Sequence, residues 1–404
     1  MQNRRKFMKS SLLTLLGTGI STASPVRSFA NNVREDPEKK FVYRKLGKTG
    51  IEVPVISLGT GNTDNPNLIK LALDEGIKLI ATSEIYQNGN TEKMVGEAIS
   101  KRPRDSYYIM TSAGDINNVD HEAGLYKPDT DPEDFLKHAD GSLRRLQVDY
   151  LDIFILPFAA KRESVFFEPL LKAMETFKKQ GKTRFLGIAT HMFQPEAIRA
   201  AVDTGIYDVV MTSYNFRMDN LKEVDEAIGY AARANLGIIA MKTMAGAFWD
   251  KERTKPINAT AALKWVLQNK NVHTTVPDCS SYDHVYNDIS VMGDLKLTKE
   301  EKHNLEPPSR ELSSGLYCQQ CLRCIPQCPK KVNIPVIMRS YMYAYGYRNL
   351  DFARKTLCSS NLNDRLCQEC TECKVICRMG FDIRTKIMDI ARLKDVPEDF
   401  IRSI

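Results

Sequence analysis

No stretch of the 404 residues approaches the ~18 consecutive apolar residues of a membrane-crossing helix, which excludes a multi-span membrane protein. Low-complexity tracts are absent. A composition of 43% hydrophobic and 26% charged residues rules out a collagen-like or mostly disordered chain. Little charge excess remains once the first 30 residues are set aside. They carry Arg4, Arg5, Lys6, Lys9 and Arg27 and no acid, and without them the net charge falls from +7 to +2. That balance gives no basis for a nucleic-acid partner. Cysteine is nearly missing from the first 317 residues, where Cys279 stands alone, whereas nine cysteines fall between Cys318 and Cys377. Disulfide frameworks usually serve small secreted domains with poor cores, and this distribution does not fit one. At one domain per ~150 residues, the length allows two or three domains, or one large barrel with a small module.

Residues 1–30 read as an export signal. Asn3-Arg4-Arg5-Lys6-Phe7-Met8-Lys9 is a charged start with paired arginines, Ser10 to Ala23 is modestly apolar, and Ser28-Phe29-Ala30 offers small residues for cleavage. The arginine pair followed by Phe7 and Lys9 resembles the twin-arginine signal, whose machinery exports folded proteins. A short linker, 31–40, would follow, and the expected location is periplasmic.

From residue 41 the pattern becomes regular. Phe41 to Leu46 and Ile51 to Val55 flank the turn Gly47-Lys48-Thr49-Gly50 and predict a hairpin. Short apolar strands are then expected at Val55–Gly59, Leu79–Ser83, Tyr107–Thr111, Tyr150–Leu156, Arg184–Ala189, Val209–Ser213, Gly237–Met241 and His273–Val276. They alternate with amphipathic helical stretches such as Pro132–Leu146, Val165–Lys179, Leu221–Ala234 and Ala259–Asn269. Eight such repeats over about 250 residues have the size and rhythm of a (β/α)8 TIM barrel, an α/β fold. The rival, an open doubly wound sheet, would favour a glycine-rich phosphate loop after its first strand, and Gly59-Thr60-Gly61-Asn62 does not continue into GxGxxG. The barrel is expected over 41–296. Charge at Lys299-Glu300-Glu301-Lys302, Pro307-Pro308 and Ser313-Ser314-Gly315 mark 297–317 as a linker to a C-terminal domain, 318–404.

That last domain carries the sharpest signal. Cys318, Cys321, Cys324 and Cys328 form C-x2-C-x2-C-x3-C followed by Pro329, and Cys367, Cys370, Cys373 and Cys377 repeat the spacing. In two-cluster ferredoxins the first three thiolates of a run hold one cubane, and the fourth reaches the other. The expectation is two [4Fe–4S] clusters in a small α-helical, ferredoxin-like domain. Cys318, Cys321, Cys324 and Cys377 would hold one; Cys367, Cys370, Cys373 and Cys328 would hold the other. Structural zinc, the alternative, takes four ligands per ion in CxxC pairs and has no use for a third cysteine three residues on; disulfides among such crowded thiols would be poorly specified. Arg378 stands where the first run has proline. Cys279 and Cys358 fall outside the scheme and read as buried free thiols.

Several segments between 41 and 293 resemble the aldo/keto reductase family: Tyr43-Arg44-Lys45-Leu46-Gly47-Lys48-Thr49-Gly50, Gly76-Ile77-Lys78-Leu79-Ile80-Ala81-Thr82-Ser83-Glu84-Ile85-Tyr86, Gly181-Lys182-Thr183-Arg184-Phe185-Leu186-Gly187 and Ser213-Tyr214-Asn215. With the cysteines, the chain looks like an iron–sulfur branch of that family. The resemblance implies a barrel closed below by the hairpin. It also implies NADPH-dependent carbonyl reduction by an Asp, Tyr, Lys and His tetrad. Tyr86 stands at the tyrosine position, but Ala81, Ser112 and Pro157 occupy the other three. No Lys or Arg occurs from Pro277 to Met292 to meet a 2′-phosphate, and Asp278 has the wrong sign. Ser280 and Ser281 could offer a helix N-terminus to a phosphate, although capping alone explains them. Tight NADPH binding is therefore not expected. Tyr86, Ser112, His191, Tyr214, Asn215 and Lys242 remain at the expected barrel mouth. Of these, Tyr86, His191 and Lys242 are the candidate catalytic residues, the last two as acid or charge clamp, with strand-end capping the plain alternative for each.

The leading expectation is an exported oxidoreductase that moves electrons between two clusters and a ligand at the barrel mouth, with a redox partner protein or small carrier as its other substrate. The alternatives are an electron-transfer subunit whose barrel is only a docking surface and an NADPH-dependent carbonyl reductase with structural clusters.

Overall fold

The computed structural model describes residues 41–115, 118–121, 123–246, 248–249, 255–306, 318–360, 362, 367, 370 and 373–402. The export signal at 1–30, the segment 31–40 and the stretch 307–317 of the expected linker lie outside them.

Eight parallel strands form one sheet: β1 (Leu58–Gly59), β2 (Leu79–Ala81), β3 (Tyr108–Ser112), β4 (Leu151–Leu156), β5 (Thr183–Thr190), β6 (Val209–Ser213), β7 (Gly237–Met241) and β8 (Thr274–Thr275). Each pairs with its neighbours in chain order, and the bridges Ile56 to Thr275 and Gly59 to Asp278 bring the last strand back to the first. All six residues of β4 are buried, as expected for a parallel strand covered on both faces.

The helices are α1 (Pro66–Asp74), α2 (Asn90–Ile99), α3 (Pro132–Leu146), α4 (Glu168–Lys179), α5 (Gln194–Thr204), α6 (Leu221–Arg233), α7 (Ala259–Gln268) and α8 (Tyr282–Gly293). Local chemistry sets their starts. The side chains of Asn65, Asp131, Asn258 and Ser281 each accept a hydrogen bond from a first-turn amide, which relieves donors that have no partner inside the helix. The helix expected from Val165 begins instead at Glu168, after a separate turn at Arg162–Val165. Pro169 has no amide proton and is tolerated only in a first turn.

Two apolar layers hold the barrel. Inside it, Leu79, Met110, Ile153, Ile155, Val209 and Ile239 pack on Leu46, Ile51 and Val53 from the N-terminal hairpin (Tyr43–Lys45 paired with Glu52–Pro54). That hairpin plugs the bottom. Gly47 approaches so closely that a Cβ there would lie 2.4 Å from the Gly237 nitrogen, and it sits at φ +50; only glycine meets both demands. Outside, the strands pack on the helices through residues such as Phe154, Phe177 and Tyr207.

Within the stretch expected to be a linker, Lys299–Asn304 is helical. Thr298 and Glu301 form a reciprocal capping box, and Lys264 binds Glu301 at 2.9 Å. The C-terminal domain contains α9 (Ile334–Tyr345), α10 (Leu350–Cys358), α11 (Ile383–Ala391) and a short helix at Glu398–Arg402. Its own core gathers Val332, Ile337, Met338, Leu357, Met379, Phe381, Ile387 and Ile390. Met342, Tyr343, Tyr347, Phe352 and Ala353 instead join the barrel's outer core. The helical domain is thus packed onto the barrel.

Candidate active site at the barrel mouth

The C-terminal ends of β1 to β8 define the mouth, and the helical domain covers much of it. Tyr347 stacks edge-on against Tyr86 with ring centroids 4.8 Å apart. Its carbonyl accepts from the Gln87 amide at 3.1 Å, and Asn349 donates to the Ile85 carbonyl at 2.7 Å. Phe352 stacks on Phe158. Arg323 and Arg378, one near each cysteine run, both pair with Asp219 on the loop before α6. The residue that departs from the first run's proline is therefore an anchor between domains.

The residues expected at the tetrad positions are engaged in local structure. Ala81 is buried at the end of β2. Ser112 closes β3 and shares a 2.8 Å hydrogen bond with Ser83. The Pro157 carbonyl accepts from the Tyr126 hydroxyl. Ser281 is the cap of α8, accepting from the His284 amide, and Ser280 is exposed and lies 3.3 Å from the His284 ring. Beside them the Asp278 carboxylate accepts from the Gly61 amide at 2.9 Å and from Asn62 at 2.8 Å. Burial raises its pKa to about 6 against the pull of those two donors. Asp288, bonded by the Cys279 thiol at 3.4 Å, is raised to about 7, again chiefly by burial and then by the Asp278 charge. A phosphate would thus meet a carboxylate in this corner.

His191 and Lys242 do come together, in company the sequence did not suggest. Arg339, on α9, is 6% exposed and reaches into the mouth. Its Nη1 donates to His121 Nδ1 at 2.6 Å, and its Nη2 donates to Gln320 Oε1 and lies 3.1 Å from Met192 Sδ. His121 is 5% exposed and comes from a small hairpin, Val119–Asp120 with Leu125–Tyr126, inserted between β3 and α3. His121, His191, Met192 and Arg339 line one small pocket with Val119, Gly124, Phe158, Ala159 and Ala160. Burial and the neighbouring cations hold both histidines well below the usual imidazole range; those cations are Arg339 and Lys127 for His121, and Lys242 and Arg339 for His191. Lys242 falls to about 8, mainly through burial and then Arg339, with Cys318 pulling the other way. Phe158 and Lys242, immediately after or near the ends of β4 and β7, hold left-handed backbone at φ +59 and +56, a cost of order 1–3 kcal/mol that such sites tend to carry. Tyr214 and Asn215 are buried but engaged elsewhere, with Asp225 and with the Lys242 carbonyl.

The cysteines group across the two runs. Cys318 neighbours Cys377, Cys324 and Cys321, and Cys367 neighbours Cys370, Cys328 and Cys373, with Cys328 also near Cys324. Cys318, Cys321, Cys324 and Cys377 line one cavity, closed on one side by Ile334, Pro335, Met338, Phe381 and Ile383. The Gln327 side-chain amide clamps the runs together, accepting from the Ile376 amide at 2.8 Å and donating to its carbonyl at 3.3 Å. Burial first, and like charge second, raise Cys318 and Cys324 to about 12 and Cys367 to about 11; the backbone amides near Cys377 oppose its rise. Among the described residues no group of three or more potential ligands already stands at metal-binding distances. The thiols are neighbours rather than a closed coordination shell. Of the two remaining cysteines, Cys279 is buried, as expected, but Cys358, the last residue of α10, is exposed.

A closed parallel barrel with a hairpin at its base and a polar mouth defines the class. The Aldo/keto reductase family model matches residues 58–260, half of the chain, and the chain belongs to that family. It is 29% identical over 193 residues to the NADH-specific methylglyoxal reductase of Escherichia coli (strain K12), covering 42% of this chain and 58% of that protein. It is 24% identical over 302 residues to the L-galactose dehydrogenase of Arabidopsis thaliana, covering 64% and 90%. The chain therefore spans less than two thirds of the first of these curated relatives. Among solved structures, aldo-keto reductase AKR11C1 from Bacillus halodurans in its holo form superposes with a TM-score of 0.52 at 19% identity, over 65% of this chain and 95% of that one. The likeness shows the fold. The family match ends before the first cysteine run.

Proposed function

We propose that this protein is an exported oxidoreductase that holds two [4Fe–4S] clusters and passes electrons between them and a ligand at the barrel mouth. A redox partner protein or small electron carrier would complete the circuit. The observation that carries this reading is that Cys377 lines one cavity with Cys318, Cys321 and Cys324, while Cys328 neighbours Cys367 as well as Cys324, which suits the exchange that two-cluster ferredoxins use. Eight thiols in two sets of four suit cubanes, whose contribution when bound is one-electron transfer.

The chain's own residues then have definite tasks. Cys318, Cys321, Cys324 and Cys377 would hold one cluster, and Cys367, Cys370, Cys373 and Cys328 the other. Ile334, Met338 and Phe381 would keep water from the first. Gln320, between two of its ligands, hydrogen-bonds Arg339 and so ties that cluster's loop to the mouth. Ala81, Ser112, Pro157 and Asp278 remove the contacts that NADPH chemistry would need, which argues against a nicotinamide as the electron donor. Export belongs to the same reading: Arg4-Arg5 begins a signal for folded cargo, and a cluster must be assembled before the chain leaves the compartment that supplies iron and sulfide.

Anaerobically purified protein should contain about eight irons and eight labile sulfides per chain. Four or fewer irons after reconstitution would sink the two-cluster assignment. Replacing Arg4 and Arg5 by lysines should leave the holoprotein in the cytoplasm, and unchanged export would point to another route.

A further inference from the structure

Gln320, in the first cysteine run, holds left-handed backbone at φ +55. That is uncommon for a residue with a side chain and persists only where its surroundings fix it. In this conformation its amide donates to Cys318 Sγ at 3.3 Å. Its buried side chain accepts from Arg339 Nη2, so the guanidinium ties Gln320 in place. Arg339 is itself fixed from the barrel side: Nη1 donates to His121 Nδ1 at 2.6 Å, and Nη2 lies 3.1 Å from Met192 Sδ. A chain of contacts therefore runs from the inserted hairpin through Arg339 and Gln320 to a cysteine of the first set. Lys242, just after β7, neighbours both Arg339 and Cys318. Arginine does not lose its proton in proteins, and a buried charge is screened far less than one in water. Among the described residues Arg339 is the one buried arginine; Arg384, which donates to the Cys367 carbonyl at 3.3 Å, is partly exposed.

We propose that Arg339 is a positioning residue that sets the reduction potential of the cluster held by Cys318, Cys321, Cys324 and Cys377, by fixing the Gln320 amide on Cys318 Sγ and by placing a buried positive charge beside that loop. The four thiols share one cavity, so the residues present suit the group. Reduction adds one electron, and with it one negative charge, to that set; the external one-electron carrier of the proposed function is oxidised in exchange. A hydrogen bond to a ligand sulfur and a nearby cation both favour the added charge, and hydrogen bonds to sulfur are among the levers that set such potentials. The two contributions act in the same direction, so Arg339 raises the potential. This rests on the two-cluster reading and deepens it by naming the side chain that tunes one cluster from the barrel mouth. His121 comes from the barrel's inserted hairpin and Arg339 from the helical domain, so the arrangement exists only in the docked molecule.

The test is a mediated redox titration of anaerobically purified holoprotein, followed by paramagnetic resonance, with the two clusters told apart by the signal lost in Cys377→Ser. Arg339→Gln should make reduction of the Cys318 cluster roughly tenfold less favourable, a shift of ~59 mV to more negative potential for one electron. The Cys367 cluster should move much less, and iron content should stay unchanged. Arg339→Lys keeps the charge but not the planar fork, so its potential should fall between those of the wild type and Arg339→Gln. Gln320→Ala cuts the tie and keeps a Cβ, and should make reduction several-fold less favourable. Gln320→Gly adopts positive φ without that penalty and should recover most of the loss, a result that lost packing alone would not give. If Arg339→Gln does not fold, the two Gln320 variants carry the test. An unmoved potential in a folded Arg339→Gln, equal shifts in both clusters, or equal potentials in Gln320→Ala and Gln320→Gly would each overturn the role. A protein with no cluster on the Cys318 set would remove the two-cluster reading and the role together. Two clusters with an unmoved potential would remove the role alone.

Discussion

The two halves of the barrel mouth have been shaped in opposite ways. On the side of β2, β3 and β4, the positions that carry chemistry in the resembled family hold Ala81, Ser112 and Pro157, each absorbed into packing or a local hydrogen bond. On the side of β5 and β7, His191 and Lys242 meet Arg339 and the Cys318 loop, which come from the helical domain. Much of the barrel's core lies away from its mouth. Its interior is closed by Leu46, Ile51 and Val53 from below and its outside by the helices. A fold held in this way can lose one set of polar residues and acquire another without losing its core.

The largest expected effect lies in the cysteine runs. Cys377→Ser should remove the cluster of Cys318, Cys321 and Cys324, halving the iron, and leave the signal of the Cys367 cluster. Cys328→Ser should do the reverse. Paramagnetic resonance of the reduced proteins separates the two, and loss of the Cys367 cluster in Cys377→Ser would break the cross-run pairing.

A second test concerns the corner where a nicotinamide phosphate would sit. The pKa of Asp288 in the fold is about 7, above the usual 3.8, so folding disfavours its ionised form. Stability is full below about pH 4 and declines as pH rises through 7. Asp288→Asn should therefore be more stable than the wild type at pH 8, by on the order of 2–4 kcal/mol, and the gain should vanish near pH 4. A gain independent of pH would mean that packing, not charge, separates the two proteins.

Asp219→Asn removes the carboxylate shared by Arg323 and Arg378. Both arginines are partly exposed, so the loss should be modest, about 1 kcal/mol, and confined to the melting of the helical domain. An equal loss in the barrel transition would show that the two regions unfold as one.

The smallest effect expected is none. NADPH should support no more than background reduction of common aldehydes, and Tyr86→Phe should leave that background unchanged. Robust reduction abolished by Tyr86→Phe would restore the worn side of the mouth to function and favour a carbonyl reductase with structural clusters.

Much of this was legible in the residues. All eight strands were visible because a strand buried on both faces is a short apolar run bounded by polar residues, and β6 and β7 match the expected ranges to the residue. The capped helices were visible for a similar reason: Asp131-Pro132 and Asn258 announce a start through chemistry within one turn. The spacing of the cysteines gave an expected grouping, and the shared cavity of Cys318, Cys321, Cys324 and Cys377 is the part of it that has a counterpart in the fold. His121 and Arg339 were not found. A lone histidine in a polar loop and a lone arginine in an apolar helix are ordinary in sequence, although Arg339 was a cation among Ile334, Val336, Ile337 and Met338, and that was the available signal.

What the sequence determined, then, is what depends on neighbours along the chain: strand and helix rhythm, caps, cysteine spacing and the family to which these point. The tertiary structure decided what depends on contacts between distant segments. Arg339 and His121 are 218 residues apart and share a 2.6 Å hydrogen bond, and neither carries a local pattern that encodes the other. Their meeting follows from the docking of α9 on the barrel mouth, where Tyr347 and Phe352 bury apolar rings against Tyr86 and Phe158. Apolar burial is non-directional; the shape of the two surfaces, which exists only after folding, sets which polar groups are brought together beneath it.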